Sequence, residues 1–223
     1  IETKEAMKKE IAQAKSEVLP SWIQTMKLKG DFRLRYQMNR TDNANDTFSY
    51  RNRGRFRLRL GVESKVNDKL KVAAGLSTGI TTAGEPDAAR STNQSFTDAF
   101  AKKPVAWDYA YAEYNPFTWA SVIAGKMKNP LWEPTDMIWD TDINPEGGVF
   151  KLSKRFMPGL DLFATAGAFV LDEISGDSAD PMMYVTQFGG TYNLGSRTSL
   201  KGSFSYYNFS NVKHRNIEGA SYD

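Results

Sequence analysis

Arginine occupies every second position from Arg51 to Arg59 in the run RNRGRFRLRLGVESK, while Gly54, Phe56, Leu58, Leu60 and Val62 take the even positions. A period of two is the geometry of a β-strand, whose successive side chains point to opposite faces. The preceding segment repeats it, with Met26, Leu28, Phe32, Leu34, Tyr36 and Met38 alternating with Lys27, Lys29, Asp31, Arg33, Arg35 and Gln37. Were the basic face turned to lipid, each arginine would cost roughly 2–4 kcal/mol near the bilayer midplane. Five would cost on the order of 10–20 kcal/mol, more than the stability of a typical domain. The arginines therefore face water in a channel lumen, and Arg33, Arg35, Arg51, Arg53, Arg55, Arg57 and Arg59 are expected to line it.

From Arg51 to Arg59 such a ladder runs roughly 27 Å along the strand, or about 20 Å along a pore axis after the usual tilt. Asp31 and Glu63 are the chief carboxylates on the same faces, so anions should concentrate beside it. Lys126 and Lys128, with Lys151 and Arg155, would extend the field if they share the inner face. The alternative is that the arginines pair with acidic groups and brace the wall. Those groups are sought in the connection from Asn129 to Gly147, where Glu133, Asp136, Asp140 and Asp142 stand beside Leu131, Trp132, Met137, Ile138 and Trp139. A segment this apolar is expected to fold into the barrel mouth, where its carboxylates would oppose the ladder as a constriction with a transverse field. Asp136, Asp140 and Asp142 also have the spacing of oxygen ligands, but the glycine and terminal glutamate of an EF-hand loop are lacking. No metal and no cofactor is assigned.

The elements that must hold these residues are strands at 25–38, 51–65, 70–80, 105–114, 118–128, 148–156, 160–171, 182–194 and 197–209. Their connections alternate strictly between long and short: 39–50 long, VNDK short, 81–104 long, NPF short, 129–147 long, MPG short, 172–181 long, Gly195-Ser196 short. That alternation predicts an all-β, antiparallel, up-and-down transmembrane β-barrel, with periplasmic turns and extracellular loops. Leu160 to Val170 and Leu200 to Tyr206 repeat the two-faced pattern, and aromatic residues gather near strand ends. Residues 1–20 differ. Met7, Ile11, Ala14 and Val18 form a heptad-like seam ended by Pro20, which predicts a short amphipathic, periplasmic coiled-coil helix ahead of a barrel unit at 21–223.

The 223 residues carry a formal charge of +3, one histidine and no cysteine, so no thiol or histidine-centred catalysis is in view and no enzyme is expected. His214 reads as a solvated side chain. No stretch approaches the roughly 20 apolar residues of a spanning helix. The mean hydropathy of −0.52 is equally compatible with a barrel, in which half of each strand faces a polar interior. Nucleic acid is a poor partner, because an apolar second face repeated over nine strands would need a partner sheet that the connections do not provide.

With RNRGRFRLRLGVESKVNDKLKVAAGLSTG and LWEPTDMIWDTDINPEGGVFKLS in view, the chain resembles the putative porin family of diderm bacteria and is similar to outer-membrane attachment porins. The resemblance runs from about Met26 to Phe209, and its more specific motif is Trp139 to Gly147. It implies a passive outer-membrane channel for small anionic or polar solutes, set in outer-membrane lipids and assembled as a homotrimer. It also implies an alternative role, a tether to a cell-wall polymer through N-terminal sequence and a stalk. The count of nine strands is odd, whereas single-chain bacterial barrels have an even number, and GASYD lacks a final apolar strand. The chain is therefore expected to be the N-terminal part of a larger barrel.

Overall fold

A computed structural model describes residues 5, 7, 20–42, 47–79, 88–135, 138–176, 178–195, 197–213, 215–217 and 220–222. Of the helix expected at 1–20, Glu5 and Met7 are helical, Pro20 is not, and the rest lies outside the described residues. A single turn, α1 (Ser21–Gln24), leads into the strands. These are β1 (Lys27–Asp42), β2 (Phe48–Lys65), β3 (Leu70–Thr78), β4 (Gln94–Ser95), β5 (Val105–Phe117), β6 (Ala120–Lys126), β7 (Glu146–Met157), β8 (Leu160–Val170), β9 (Met182–Asn193) and β10 (Ser199–Ser210). A separate hairpin pairs β11 (Arg215–Ile217) with β12 (Ala220–Tyr222).

The protein is all-β, and β1 to β10 form one antiparallel sheet in which strands neighbour one another in chain order, except that β4 pairs with β2. This is the up-and-down arrangement that alternating turns and loops require. The sheet is open, with β1 and β10 at its two edges. Several boundaries differ from the sequence reading: β1 runs on to Asp42 and β2 begins at Phe48, so the expected 39–50 connection shrinks to 43–47. NPF is not a turn: β5 continues through Phe117, which pairs with Ala120, and a register shift between Tyr114 and Phe117 absorbs Pro116. The chain reverses at Thr118 and Trp119 instead, where the Trp119 ring stacks on Phe117 at 4.9 Å. The long 81–104 connection contains β4, which pairs Ser95 with Arg55 and Gln94 with Phe56.

The register sorts the side chains by parity. Arg33 lies opposite Arg57, Arg35 opposite Arg55 and Gln37 opposite Arg53, so the odd positions of β1 and β2 share one face. On β6 to β9 the same face carries the buried cluster Ile123, Met127, Val149, Phe169, Met183 and Val185, over which Leu131 and Trp139 pack. The even face is uncovered. Leu28 is 80% exposed, Met38 74% and Phe204 70%, and Leu60, Val122, Phe150, Leu162 and Phe188 continue the patch. Leaving one such side chain in water forgoes roughly 1.5–3 kcal/mol; repeated across a sheet, that demands an apolar surrounding.

Rings on the even face gather at two levels, Trp107, Tyr184 and Tyr206 toward the long connections and Tyr114, Phe156 and Tyr192 toward the turns. Trp107 reaches this face through the register shift at Gly75 and Leu76. Tyr184 and Tyr192 on one strand are roughly 27 Å apart, about 20 Å along the normal of a tilted wall, matching the aromatic girdles that flank a lipid-facing band. No helix among the described residues is long and apolar enough to cross a membrane, which says nothing of strands.

Candidate functional site

Two inward-folded segments meet the arginine rows. The first, 91–95, is drawn onto β2 by the β4 pairing and by the Phe96 amide donating to the Gly54 carbonyl at 2.9 Å. It carries oxygen acceptors without charge. Arg33 donates from Nη2 to Asn93 Oδ1 at 2.5 Å, Arg55 donates to the Asn93 carbonyl at 3.2 Å, and Arg59 donates twice to Thr92 Oγ1, at 3.2 and 2.7 Å. Within the rows, Gln37 Oε1 accepts from both Arg35 at 3.0 Å and Arg55 at 3.2 Å. Arg55 is 6% exposed.

The second segment, 127–145, leaves and rejoins the sheet at a pair of glycines. Gly125 and Gly147 face each other across β6 and β7 with φ of 119° and 151°, values that L side chains rarely adopt. A Cβ on either would meet the carbonyl oxygen of Ala110 or Ala168 within 2.3 or 2.1 Å. From there the segment crosses the odd face. Gln187, 1% exposed, accepts from the Trp132 amide and donates to the Trp132 carbonyl, both at 2.8 Å. Trp139 donates from its indole to Tyr207 Oη at 3.2 Å. Asp142 then reaches β2, where one oxygen is ion-paired with Arg59 and the other accepts from the Thr92 hydroxyl at 3.3 Å.

Of the expected constriction residues, Asp142 thus touches the ladder. Asp140 instead accepts the Asp142 amide at 2.8 Å, Glu133 accepts the Trp139 amide at 3.2 Å, and Asp136 lies outside the described residues, as does His214. The oxygen-ligand reading of the three aspartates loses two of its members to these bonds. Asp31 takes both Nε and Nη2 of Arg57 on one oxygen, at 2.9 and 2.7 Å, and Glu63 holds Lys29 at 3.2 Å. Arg33, Arg35, Arg51 and Arg53 meet no carboxylate among the described residues.

Lys128 sits over the Tyr109 ring at 4.9 Å and, with Asp31, Arg59, Asp108 and Asp142, lines a cavity of about 240 Å³. The register sets Lys126 opposite Glu146 on the parity of Val122 and Phe150, but at the strand's loop end it ion-pairs with Glu146 at 2.7 Å and donates to the Asn144 carbonyl at 3.2 Å, and Lys126 and Glu146 both border the larger inner cavity. Arg155 is tied to Asp161 at 2.9 Å. Between the inward segments and β7 to β10 lies a larger cavity of about 770 Å³, lined by Ser91, Asp142, Phe169 and Phe209 among others.

The arrangement is a basic wall faced by a carboxylate-bearing strap, with cavities beside it and an apolar outer surface. A family model described as "Putative porin" matches residues 2–52 and 46–222. The chain belongs to the putative porin family. A porin is a channel rather than an enzyme and a membrane-embedded β-barrel protein, and the exposed apolar even face is the kind of surface such a wall turns to lipid. No curated protein matches the chain.

Three features of this porin's site escaped the sequence reading. The SerThrAsnGlnSer run of 91–95 has loop composition, although neutral oxygens are what an arginine row short of carboxylates requires. The Gly125 and Gly147 pair carries no signal until the register is known. Gln187 is one polar residue on an otherwise apolar half-strand, and its partner is backbone fifty-five positions away.

Proposed function

We propose that the protein is an outer-membrane diffusion channel for small polar solutes that prefers anions. The observation that supports this reading is the uneven neutralisation of the arginine rows: carboxylates meet Arg57 and Arg59, while Arg33, Arg35, Arg51 and Arg53 have none among the described residues. A wall braced throughout would carry one acid per rung. Unmatched rungs leave a positive potential along the lumen, and rows of arginine are a recurrent source of anion preference in pores. Asp142 and Asp108 opposite Arg59 and Lys128 would add a transverse field at the 240 Å³ cavity. Open strand edges are not tolerated in hydrocarbon, so the reading requires a neighbouring strand for both β1 and β10.

The test is the reversal potential in planar bilayers under a potassium chloride gradient. Chloride preference is expected, shrinking as salt rises because the screening length falls to about 3 Å at 1 M. Exchanging Arg35, Arg51 and Arg53 together for Gln should lower the chloride to potassium permeability ratio at least twofold, without altering the fold. Cation preference in the unmodified channel would overturn the proposal.

A further inference from the structure

A second basic station lies away from the arginine rows, on the same face but nearer the short turns of β5–β6 and β9–β10. Lys151 of β7 stands opposite Ser121 and Thr165 in the register, and Lys201 of β10 stands opposite Thr191. Both border a cavity of about 480 Å³. Its geometry is fixed from two sides. Trp132 is clamped through its backbone by Gln187, which also donates to Ser205 Oγ at 2.8 Å. Phe163 packs edge-on against Trp132 at 6.5 Å, lying over β9 where a Cβ at Gly189 would come within 2.3 Å of the ring.

These two rings hold the Lys201 ammonium, at 5.0 Å from the Trp132 centroid and 5.3 Å from that of Phe163. A cation held by ring faces is positioned without being neutralised. Neither Lys151 nor Lys201 meets a carboxylate among the described residues. Nearby acids are already engaged: Asp161 by Arg155 at 2.9 Å and Glu113 by Lys71 at 2.5 Å. Glu113, already held by Lys71, and Lys201 both act electrostatically on Lys151, and the cavity presents two ammonium groups with no carboxylate in direct contact among the described residues. Ser121, Ser153, Thr165 and Thr191 add hydroxyls to its walls.

We infer that this cavity is a binding site for a small hydroxylated organic anion of the sugar-phosphate kind, in which the two ammonium groups hold the charged end and the hydroxyls meet the polyol. Lys201 occupies the ring faces on which a neutral sugar would stack, so charge rather than stacking selects the ligand. Binding here does not depend on the ion preference proposed above. An anion drawn in past the arginines would find a second station nearer the turns.

The test is calorimetric titration of the full chain in detergent micelles with glucose 6-phosphate, inorganic phosphate and glucose. Saturable binding of glucose 6-phosphate is expected, at least tenfold weaker binding of inorganic phosphate, and none of glucose. Lys151→Gln and Lys201→Gln should each weaken glucose 6-phosphate at least tenfold, while the double exchange Arg51→Gln and Arg53→Gln should change it less than twofold. Heat-modified electrophoretic mobility reports folding; Lys201, exposed on an edge strand, carries the test if the Lys151 variant fails to fold. Unchanged affinity in a folded lysine variant, dependence on the arginines instead, equal affinity for inorganic phosphate, or no saturable binding to the parent protein would each overturn the inference. Loss of chloride preference in bilayers with calorimetric binding intact would sink the channel reading alone.

Discussion

The odd face of β1–β2 and the odd face of β6–β9 obey the same two-residue period yet end in opposite states. On the first, arginines stand in rows and find mostly neutral oxygens; on the second, Val149, Phe169, Met183 and Val185 are sealed beneath Leu131 and Trp139. One strap, 127–145, serves both, anchoring by apolar contact and a glutamine clamp at one end and by the Asp142 carboxylate at the other. The difference shows that burial on this face is set by what the connections bring to it, since strand alternation alone would make both halves alike. The packed half fixes the strap, so that the charged half receives one carboxylate at a defined rung.

The comparison is broken most severely at the glycine pair. Gly147→Val would need a φ of 151° and place a Cβ against the Ala168 carbonyl, a conflict costing on the order of 1–3 kcal/mol for the backbone alone. It should release the strap, exposing Trp132 and Trp139 to aqueous quenchers and making residues 127–145 protease-sensitive; an unchanged quenching profile would mean that the glycines do not hold it. Next comes Gln187→Leu, which leaves the Trp132 amide and carbonyl without partners at a cost of roughly 1–3 kcal/mol. Amide exchange of Trp132 should accelerate about 5- to 150-fold, the factor that this range implies at 1.4 kcal/mol per decade, while β1–β2 amides stay unchanged.

Arg59→Gln and Arg53→Gln sharpen the contrast within the ladder. Removing Arg59 strands Asp142 in a half-buried position, so both stability and chloride preference should fall; removing Arg53, which meets no carboxylate among the described residues and so leaves no charge unpaired, should lower the preference and leave the melting temperature within about 2 °C. Equal melting shifts for the two would mean that the Asp142 contact contributes nothing. The smallest effect belongs to Glu63→Gln, which opens the Lys29 pair at the turn end of the sheet. Surface pairs contribute about 0–1 kcal/mol, and a stability change beyond that in urea would give this pair a larger role than its exposure allows.

The strand order, the shared face of the arginines and the inward fold of the 129–147 connection were all legible, because alternation and loop length are local properties that the pleat converts directly into faces. What could not be read was pairing between residues far apart in the chain. Asn93 against Arg33 and Gln187 against Trp132 use side chains that are common in loops and strands alike, and nothing in their neighbourhood marks them. Lys126 shares the parity of Val122, and its place beside the inner cavity depends on the strand's end, where Gly125 leaves the regular geometry. Asp142 was one of four carboxylates with equal standing, and only the path of the strap selected it.

The meander also sets an order of events during assembly. Hairpins such as β2–β3, joined by four residues, close at low entropic cost, whereas the Arg59 to Asp142 contact closes a separation of 83 residues, roughly 2–3 kcal/mol more in loop entropy. The hairpins therefore zip first, and the contact forms only after the strap has been pinned from β9. Until then the nascent two-strand ribbon supplies only its own partners, Asp31 for Arg57 and Gln37 for Arg35 and Arg55, and Arg59 lacks its carboxylate. Pulse labelling of amides during refolding should find β1–β2 protected before Thr92 and Asp142, placing the neutralisation of Arg59 among the last steps of maturation.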